Sequence, residues 1–135
     1  MAGVSRGIRN NNPLNIRKSS VAWQGKLVDS SDPCFEQFKS MEWGIRAGLV
    51  NIRTYIKKYR CDTIAAIIQK WAPASDGNNT AAYIDTVCRK TQLPANKRRK
   101  VTDKNLICML VWAMIQVECG QQVGMGKIEN AWALI

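Results

Sequence analysis

Histidine is absent from the 135 residues. That absence removes Ser-His and Cys-His nucleophilic pairs, zinc sites of the HExxH kind and imidazole acid-base chemistry, so carboxylates are the main acid-base groups left. Acids are themselves in the minority: 10 Asp and Glu stand against 20 Lys and Arg, a formal charge of +10. Such an excess attracts polyanions, whether nucleic acid, acidic lipid or an anionic cell-wall polymer, without choosing among them. Cys34, Cys61, Cys88, Cys108 and Cys119 are odd in number and have no CxxC spacing. Neither a zinc ribbon nor a fixed disulfide framework is indicated, and buried reduced thiols are expected. No metal or other cofactor is expected. No apolar run is long enough to cross a bilayer. The opening Met1-Ala2-Gly3 stretch has neither the apolar core of a signal peptide nor the second-place glycine that myristoylation needs. Synthesis in a cytoplasm follows as the expectation, with export by another route left open.

What is present is a hydrophobic share of 46%, enough for a real core, in a length that suits one domain spanning residues 1–135. The chain is organised around Asn105-Leu-Ile-Cys-Met-Leu-Val-Trp-Ala-Met-Ile-Gln-Val-Glu-Cys-Gly120, apolar on all faces at helical spacing and so expected to be surrounded by protein. Thr102 is expected to cap its start and Gly120 to end it in a left-handed turn. Glu118 interrupts the apolar pattern in the last turn. Burial beside Met114, Ile115 and Val117, with the negative end of the helix dipole, favours its protonated form, and a carboxyl so held is a general-acid candidate. A solvated last turn with an idle Glu118 is the competing reading.

Upstream, residues 6–17 combine an asparagine run with proline and arginine and are expected to form an ordered turn rather than a helix. Residues 19–38 hold short apolar pieces around Trp23, Leu27, Val28, Phe35 and Phe38, split by Asp29-Ser-Ser-Asp-Pro33. This predicts two or three small strands or an irregular lobe. Asp29, Asp32 and Glu36 lie there, and Asp32 and Glu36 are the candidates for a second carboxylate facing Glu118, although turn formation is the commoner job for such aspartates. Ser40 should cap a long amphipathic helix with Ile45, Leu49, Ile52, Ile56 and Tyr59 on one stripe and Arg46, Arg53, Lys57 and Lys58 mostly off it. Asp62 should start a helix from Thr63 to Lys70 that ends before Pro73, and Asn79 or Thr80 should open another, closed by Leu93-Pro94. Asn96-Lys-Arg-Arg-Lys100 reads as an exposed connecting loop, with a phosphate-binding patch or an import tag as the sharper alternatives. A last helix, Ile128 to Leu134, should pack Trp132 on the body. The fold class is therefore mainly α with a minor β element.

Arg6-Gly-Ile-Arg-Asn-Asn-Asn-Pro-Leu-Asn-Ile-Arg17, then Trp23-Gln-Gly25, Phe35, Phe38 and Glu42-Trp-Gly-Ile-Arg-Ala47, resemble small phage and prophage proteins of a lysozyme-like type. They are similar in layout to the N-acetylglucosaminidase pattern of an Asn-Asn-x-x-x-Ile-Lys turn before Trp-x-Gly and Phe-x-x-Phe/Tyr-x-Ser. Asn79-Thr-Ala-Ala-Tyr-Ile84 resembles the Thr-x-x-Tyr-Val motif of lytic transglycosylases, and Met114-Ile-Gln-Val-Glu-Cys-Gly120 resembles the catalytic Ala-x-x-x-Glu-Ser-Gly segment, with Cys119 in place of the Ser. In those families the glutamate helix precedes the asparagine turn; here it follows. The resemblance implies a lysozyme-like helical domain with a small lobe, circularly permuted so that its catalytic helix is C-terminal, as nearby termini would allow.

The activity implied is cleavage of β-1,4 glycan bonds in peptidoglycan by Glu118 as general acid and base, either as a muramidase or as a lytic transglycosylase. Tyr83 would orient the glutamate or the substrate acetamide. Asn11, Asn12, Asn15, Trp23 and Asn79 are the substrate-binding candidates, with a core role the equal alternative for Trp23. A phage lysis or virion protein, or an antibacterial effector, acting at the bacterial wall after lysis or delivery, is the implied setting, with an immunity or virion protein as a further partner. The rival class is a non-catalytic nucleic-acid-binding or virion structural protein using Lys97, Arg98, Arg99 and Lys100 on phosphates.

Overall fold

The computed structural model describes residues 4–135. The reading of Met1–Gly3 as neither leader nor acylation site lies outside the described residues. Among the described residues six α-helices follow in order: α1 (Arg6–Arg9), α2 (Met41–Tyr59), α3 (Ile64–Trp71), α4 (Thr80–Thr91), α5 (Lys104–Cys119) and α6 (Met125–Trp132), with a 3-10 turn, Ala74–Asp76, before α4. The architecture is mainly helical, and no described helix is long and apolar enough to cross a membrane.

The apolar run of α5 becomes the centre of the molecule. Ile107, Val111, Met114 and Ile115 are sealed from solvent, and α5 is packed by α4, α6, α2 and α1. Gly120 closes it at φ 69. Its start differs from expectation: Asp103, not Thr102, is the N-cap residue, and the Asp103 carboxylate accepts from Lys100 N at 2.8 Å, which folds the preceding loop back. Along α2, Ile45, Leu49, Ile52 and Ile56 bury the predicted stripe, and Ser40 Oγ accepts from Trp43 N at 3.4 Å as the cap. Tyr59, at the end of that stripe, is exposed. Thr63 rather than Asp62 caps α3, taking the Ala66 N–H at 3.1 Å. The last helix starts at Met125, earlier than Ile128, and ends at Trp132, whose ring lies 5.4 Å under the Arg53 guanidinium.

One stretch departs further from the sequence reading, and a second takes the irregular form of the two that the reading allowed. Residues 6–9 form one helical turn where an ordered turn without helix was expected. The turn then reverses through Asn11 and Asn15, both at positive φ (53 and 54), a conformation that asparagine tolerates better than most residues. It rests on a shelf in α2: a Cβ on Gly44 would come within 1.8 Å of the Asn11 carbonyl oxygen, and one on Gly48 within 2.1 Å of Leu14 Cδ1. Residues 19–38 form an irregular lobe with only two isolated bridges, Arg17 with Phe35 and Lys26 with Phe38. Side-chain bonds replace a ladder there. Asp32 Oδ1 accepts from Cys34 N and Phe35 N at 2.8 and 2.9 Å, and Asn12 Nδ2 donates to Ile16 O and Glu36 O at 2.9 and 3.0 Å. The basic loop also differs in one residue: Lys97, Arg98 and Lys100 are exposed, whereas Arg99 is 7% exposed.

Candidate active site

The end of α5 meets the asparagine turn. Asn15 Nδ2 donates to the Glu118 main-chain oxygen at 3.0 Å, covering one of the carbonyls that a helix leaves open at its C-terminus. Ser5 N donates to Gln121 Oε1 at 3.3 Å on the same side. A Cβ on Gly7 would lie 3.3 Å from Cys119 Cβ, so the start of the chain is pressed against the last turn of α5.

Glu118 lies in the wall of an open cleft of about 430 Å³, within the range of small-molecule sites. Two donors converge on one of its oxygens. Tyr83 Oη donates to Oε2 at 2.9 Å from α4, and Trp71 Nε1 donates to the same atom at 3.3 Å from the end of α3. Burial raises the Glu118 pKa above the ordinary carboxylate value and outweighs the bonds from Tyr83, Trp71 and Asn15, which favour the charged form. Burial, and then the neighbouring carboxylate, push the Tyr83 phenol far up as well, so it remains a donor. With Oε2 occupied by two donors, a proton on this carboxyl resides on Oε1.

The rest of the cleft mixes rings and amides: Trp23, Phe35, Tyr55 and Trp71 with Asn15, Asn51 and Asn78. Arg17 and Asp76 are its other charged lining groups. Of the residues singled out in the sequence, Glu118, Tyr83, Asn15 and Trp23 are therefore gathered at or beside one cleft. The others have different partners. Asn11 Nδ2 donates to Phe38 O at 3.1 Å, and Asn12 is fully buried beneath the turn. Asn79 caps α4 by accepting from Ala82 N at 3.1 Å.

Asp32 and Glu36 do not line the cleft. Asp32 receives Arg6 on both oxygens at 2.6 Å and Asn10 Nδ2 at 2.9 Å, and the Arg6 guanidinium, aided by those amides, holds its pKa far below the usual range. Glu36 is 1% exposed and pairs with Lys26 Nζ at 2.9 Å. The Asp32 carboxylate holds the lobe to the turn, and that of Glu36, which also accepts from Ser19 N at 3.3 Å, ties the lobe to itself.

No protein-family model matches the sequence. The chain is 43% identical over 120 residues to Protein P5 of Pseudoalteromonas phage PM2, a match spanning 87% of this chain and 72% of that protein. It belongs to the Protein P5 family. For this member of the Protein P5 family, the residues that sequence reasoning missed are Trp71, Tyr55, Asn51, Asn78 and Asp76. Trp71 read as a core residue closing α3, and only its indole N–H distinguishes it from one. Asn51 carries a weak signal, an amide on α2 next to the apolar stripe, while Asn78 and Asp76 were absorbed into turn chemistry.

Proposed function

We propose that this protein is a peptidoglycan-cleaving enzyme of lysozyme-like design, in which Glu118 serves as the single general acid and base on β-1,4 bonds of the glycan strand. The observation that carries this reading is the carboxyl of Glu118, its pKa raised by burial and its Oε2 clamped by Tyr83 and Trp71, in the wall of a cleft lined by aromatic rings and amides. Rings and side-chain amides are the groups that bind sugars, through their apolar faces and their hydroxyls respectively. The adjacency of the asparagine turn and the end of α5 supports the idea of a circular permutation, since joining those two segments in the reverse order needs little movement of either.

In the first step the proton on Oε1 passes to the leaving glycosidic oxygen while the C–O bond breaks and an oxocarbenium-like centre forms. Tyr83 and Trp71 then stabilise the carboxylate that results. An ordinary glycosidase needs a second carboxylate, and Asp32 and Glu36 are committed to Arg6 and Lys26. The reading therefore favours transglycosylation: the substrate's own acetamide steadies the cation, its 6-hydroxyl attacks, and Glu118 takes up the hydroxyl proton and is restored. Asp76, on the cleft rim, is the carboxylate through which a hydrolytic route would run. The phage origin of the Protein P5 relative supports a phage setting at the bacterial wall, and the charge of +10 would concentrate the protein on an anionic envelope.

The test is digestion of purified peptidoglycan by wild type and Glu118→Gln, with mass analysis of the fragment ends. Anhydro ends from the wild type and intact glycan from the variant are expected. Reducing ends would move the reaction to hydrolysis and direct attention to Asp76. Intact glycan from both, with salt-sensitive DNA binding that survives Glu118→Gln, would replace the enzyme by a nucleic-acid-binding protein.

A further inference from the structure

The cleft beside Glu118 carries one cation that the protein leaves without a partner. Arg17 lines it from the lobe side, together with Trp23 and Phe35, and is exposed. Its neighbours of the same sign are engaged: Arg6 is held by Asp32, Lys26 by Glu36, and Lys18 Nζ donates to Ser30 O at 3.2 Å. Among the described residues no carboxylate pairs with the Arg17 guanidinium. The residue is nevertheless held in place. Its main chain forms the antiparallel bridge to Phe35, and its guanidinium lies 5.5 Å from the centre of the Phe35 ring. That contact uses the attraction of a cation for a ring face and none of the N–H donors.

The charges in the cleft decide what can cover this cation. Burial favours the neutral form of Glu118, and Asp76 enters from the 3-10 turn before α4 without pairing to Arg17. A ligand laid against Arg17 strips water from it. A neutral sugar leaves the guanidinium desolvated and uncompensated, whereas a ligand carboxylate at the same place accepts two N–H bonds from the fork. The unpaired charge thus works against the neutral ligand as much as the ion pair works for the acidic one. In a peptidoglycan strand every second sugar is muramic acid, whose lactyl ether ends in a carboxylate. That acid is free in a bare strand and is extended into a stem peptide, with carboxylates of its own, in a substituted one. Chitin-type strands have the same β-1,4 bonds and acetamides and no acid.

Resting on the glycan-cleaving reading above, we propose that Arg17 is the residue by which the cleft binds the carboxylate borne on muramic acid, and so selects peptidoglycan over chitin-type strands. Arg17 transfers no proton; its effect is on binding.

The test is calorimetric binding by the full chain in the Glu118→Gln background, which leaves the strands uncut. Three oligosaccharides of equal length are compared: a chitin oligomer, a bare strand of alternating N-acetylglucosamine and N-acetylmuramic acid, and the same strand with its stem peptides. An acidic strand is expected to bind about fivefold more tightly than the chitin oligomer, the upper end for an ion pair open to solvent, and the preference should shrink as salt is raised. Arg17→Gln should remove the preference without weakening the chitin oligomer, and Arg17→Lys, which keeps the charge without the fork, should retain part of it. A preference already present with the bare strand places the contact at the lactyl carboxylate; one confined to the substituted strand places it on the stem. Should the background variant fail to fold, the ratio of initial cleavage rates on the bare strand and the chitin oligomer, with Glu118 intact, makes the same comparison. Equal binding of all three, a preference that survives Arg17→Gln, or an Arg17→Gln that weakens all three alike would overturn the proposal and leave the glycan-cleaving reading standing. Binding of none would remove both.

Discussion

Replacing Tyr83 by Phe removes one hydroxyl and leaves a ring that is 7% exposed, so the perturbation is confined to the bond from Tyr83 Oη to Glu118 Oε2 at 2.9 Å. That bond favours the charged carboxylate while burial opposes it. A hydrogen bond to a charged group is worth roughly 1.5–3 kcal/mol, which converts to about a tenfold to hundredfold change in an ionisation constant. Trp71 continues to donate to the same oxygen at 3.3 Å, which limits the effect to the lower end of that range. Tyr83→Phe therefore makes Glu118 a weaker acid, its already raised pKa moving further up. The assay is a carbon-13 carboxyl NMR titration, with the Glu118 resonance assigned by its loss in Glu118→Gln. The alkaline limb of any glycan-cleaving activity should move to higher pH with it. A Glu118 midpoint that is unchanged, or lower, in Tyr83→Phe refutes the reasoning, because the phenol would then not be a net stabiliser of the carboxylate.

Because burial raises the Glu118 pKa in the folded state, the folded protein holds that proton more tightly than the unfolded one, and stability falls as pH rises from the ordinary glutamate range through the raised value. Glu118→Gln escapes that loss, so above the window its melting temperature should exceed that of wild type, by roughly 0.5–2 kcal/mol in stability, and the gain should vanish at acid pH. Asp32 has the opposite sign: its stabilisation is present above the ordinary aspartate range and is lost as pH falls through that range toward its depressed folded value. Asp32→Asn should accordingly flatten the acid side of a plot of melting temperature against pH. Gly44→Ala should cost about 3 kcal/mol or more in chemical denaturation, since the added Cβ meets the Asn11 carbonyl at 1.8 Å and neither backbone can yield cheaply. Gly126→Ala in α6, where nothing lies within 4 Å, is the control and should stabilise by up to about 1 kcal/mol.

The parts of the fold that were legible are those whose reason is local. The stripe of α2, its Ser40 cap, the apolar run of α5 and the Gly120 stop each follow from spacing and from one residue's backbone preference. The parts that were not legible are held from a distance. A helix as short as α1 cannot sustain itself, and it forms because Asn12 N closes onto Gly7 O at 2.8 Å while α5 packs beside it. For the lobe the sequence left strands and an irregular chain as alternatives, and the second holds because Asp32, Asn12 and Gln37 satisfy main-chain groups that a ladder would otherwise pair. At the site, Glu118 and Tyr83 stand out as an acid in an apolar helix and an aromatic in a short motif. The engagement of Asp32 by Arg6 and of Glu36 by Lys26 is tertiary, and no pattern in the chain announces it. Arg99 is similar, since a cation inside a run of cations reads as solvated until its burial is seen.

The most direct measurement is the initial rate at which soluble fragments leave purified, nucleic-acid-free peptidoglycan, compared across wild type, Glu118→Gln, Asp32→Asn and Glu36→Gln, each verified as folded. Release by wild type, a fall of about a hundredfold or more in Glu118→Gln, and near wild-type rates in the other two are predicted. Release by Glu118→Gln at the wild-type rate, or none by the wild type, would contradict the assignment of Glu118 as the proton donor.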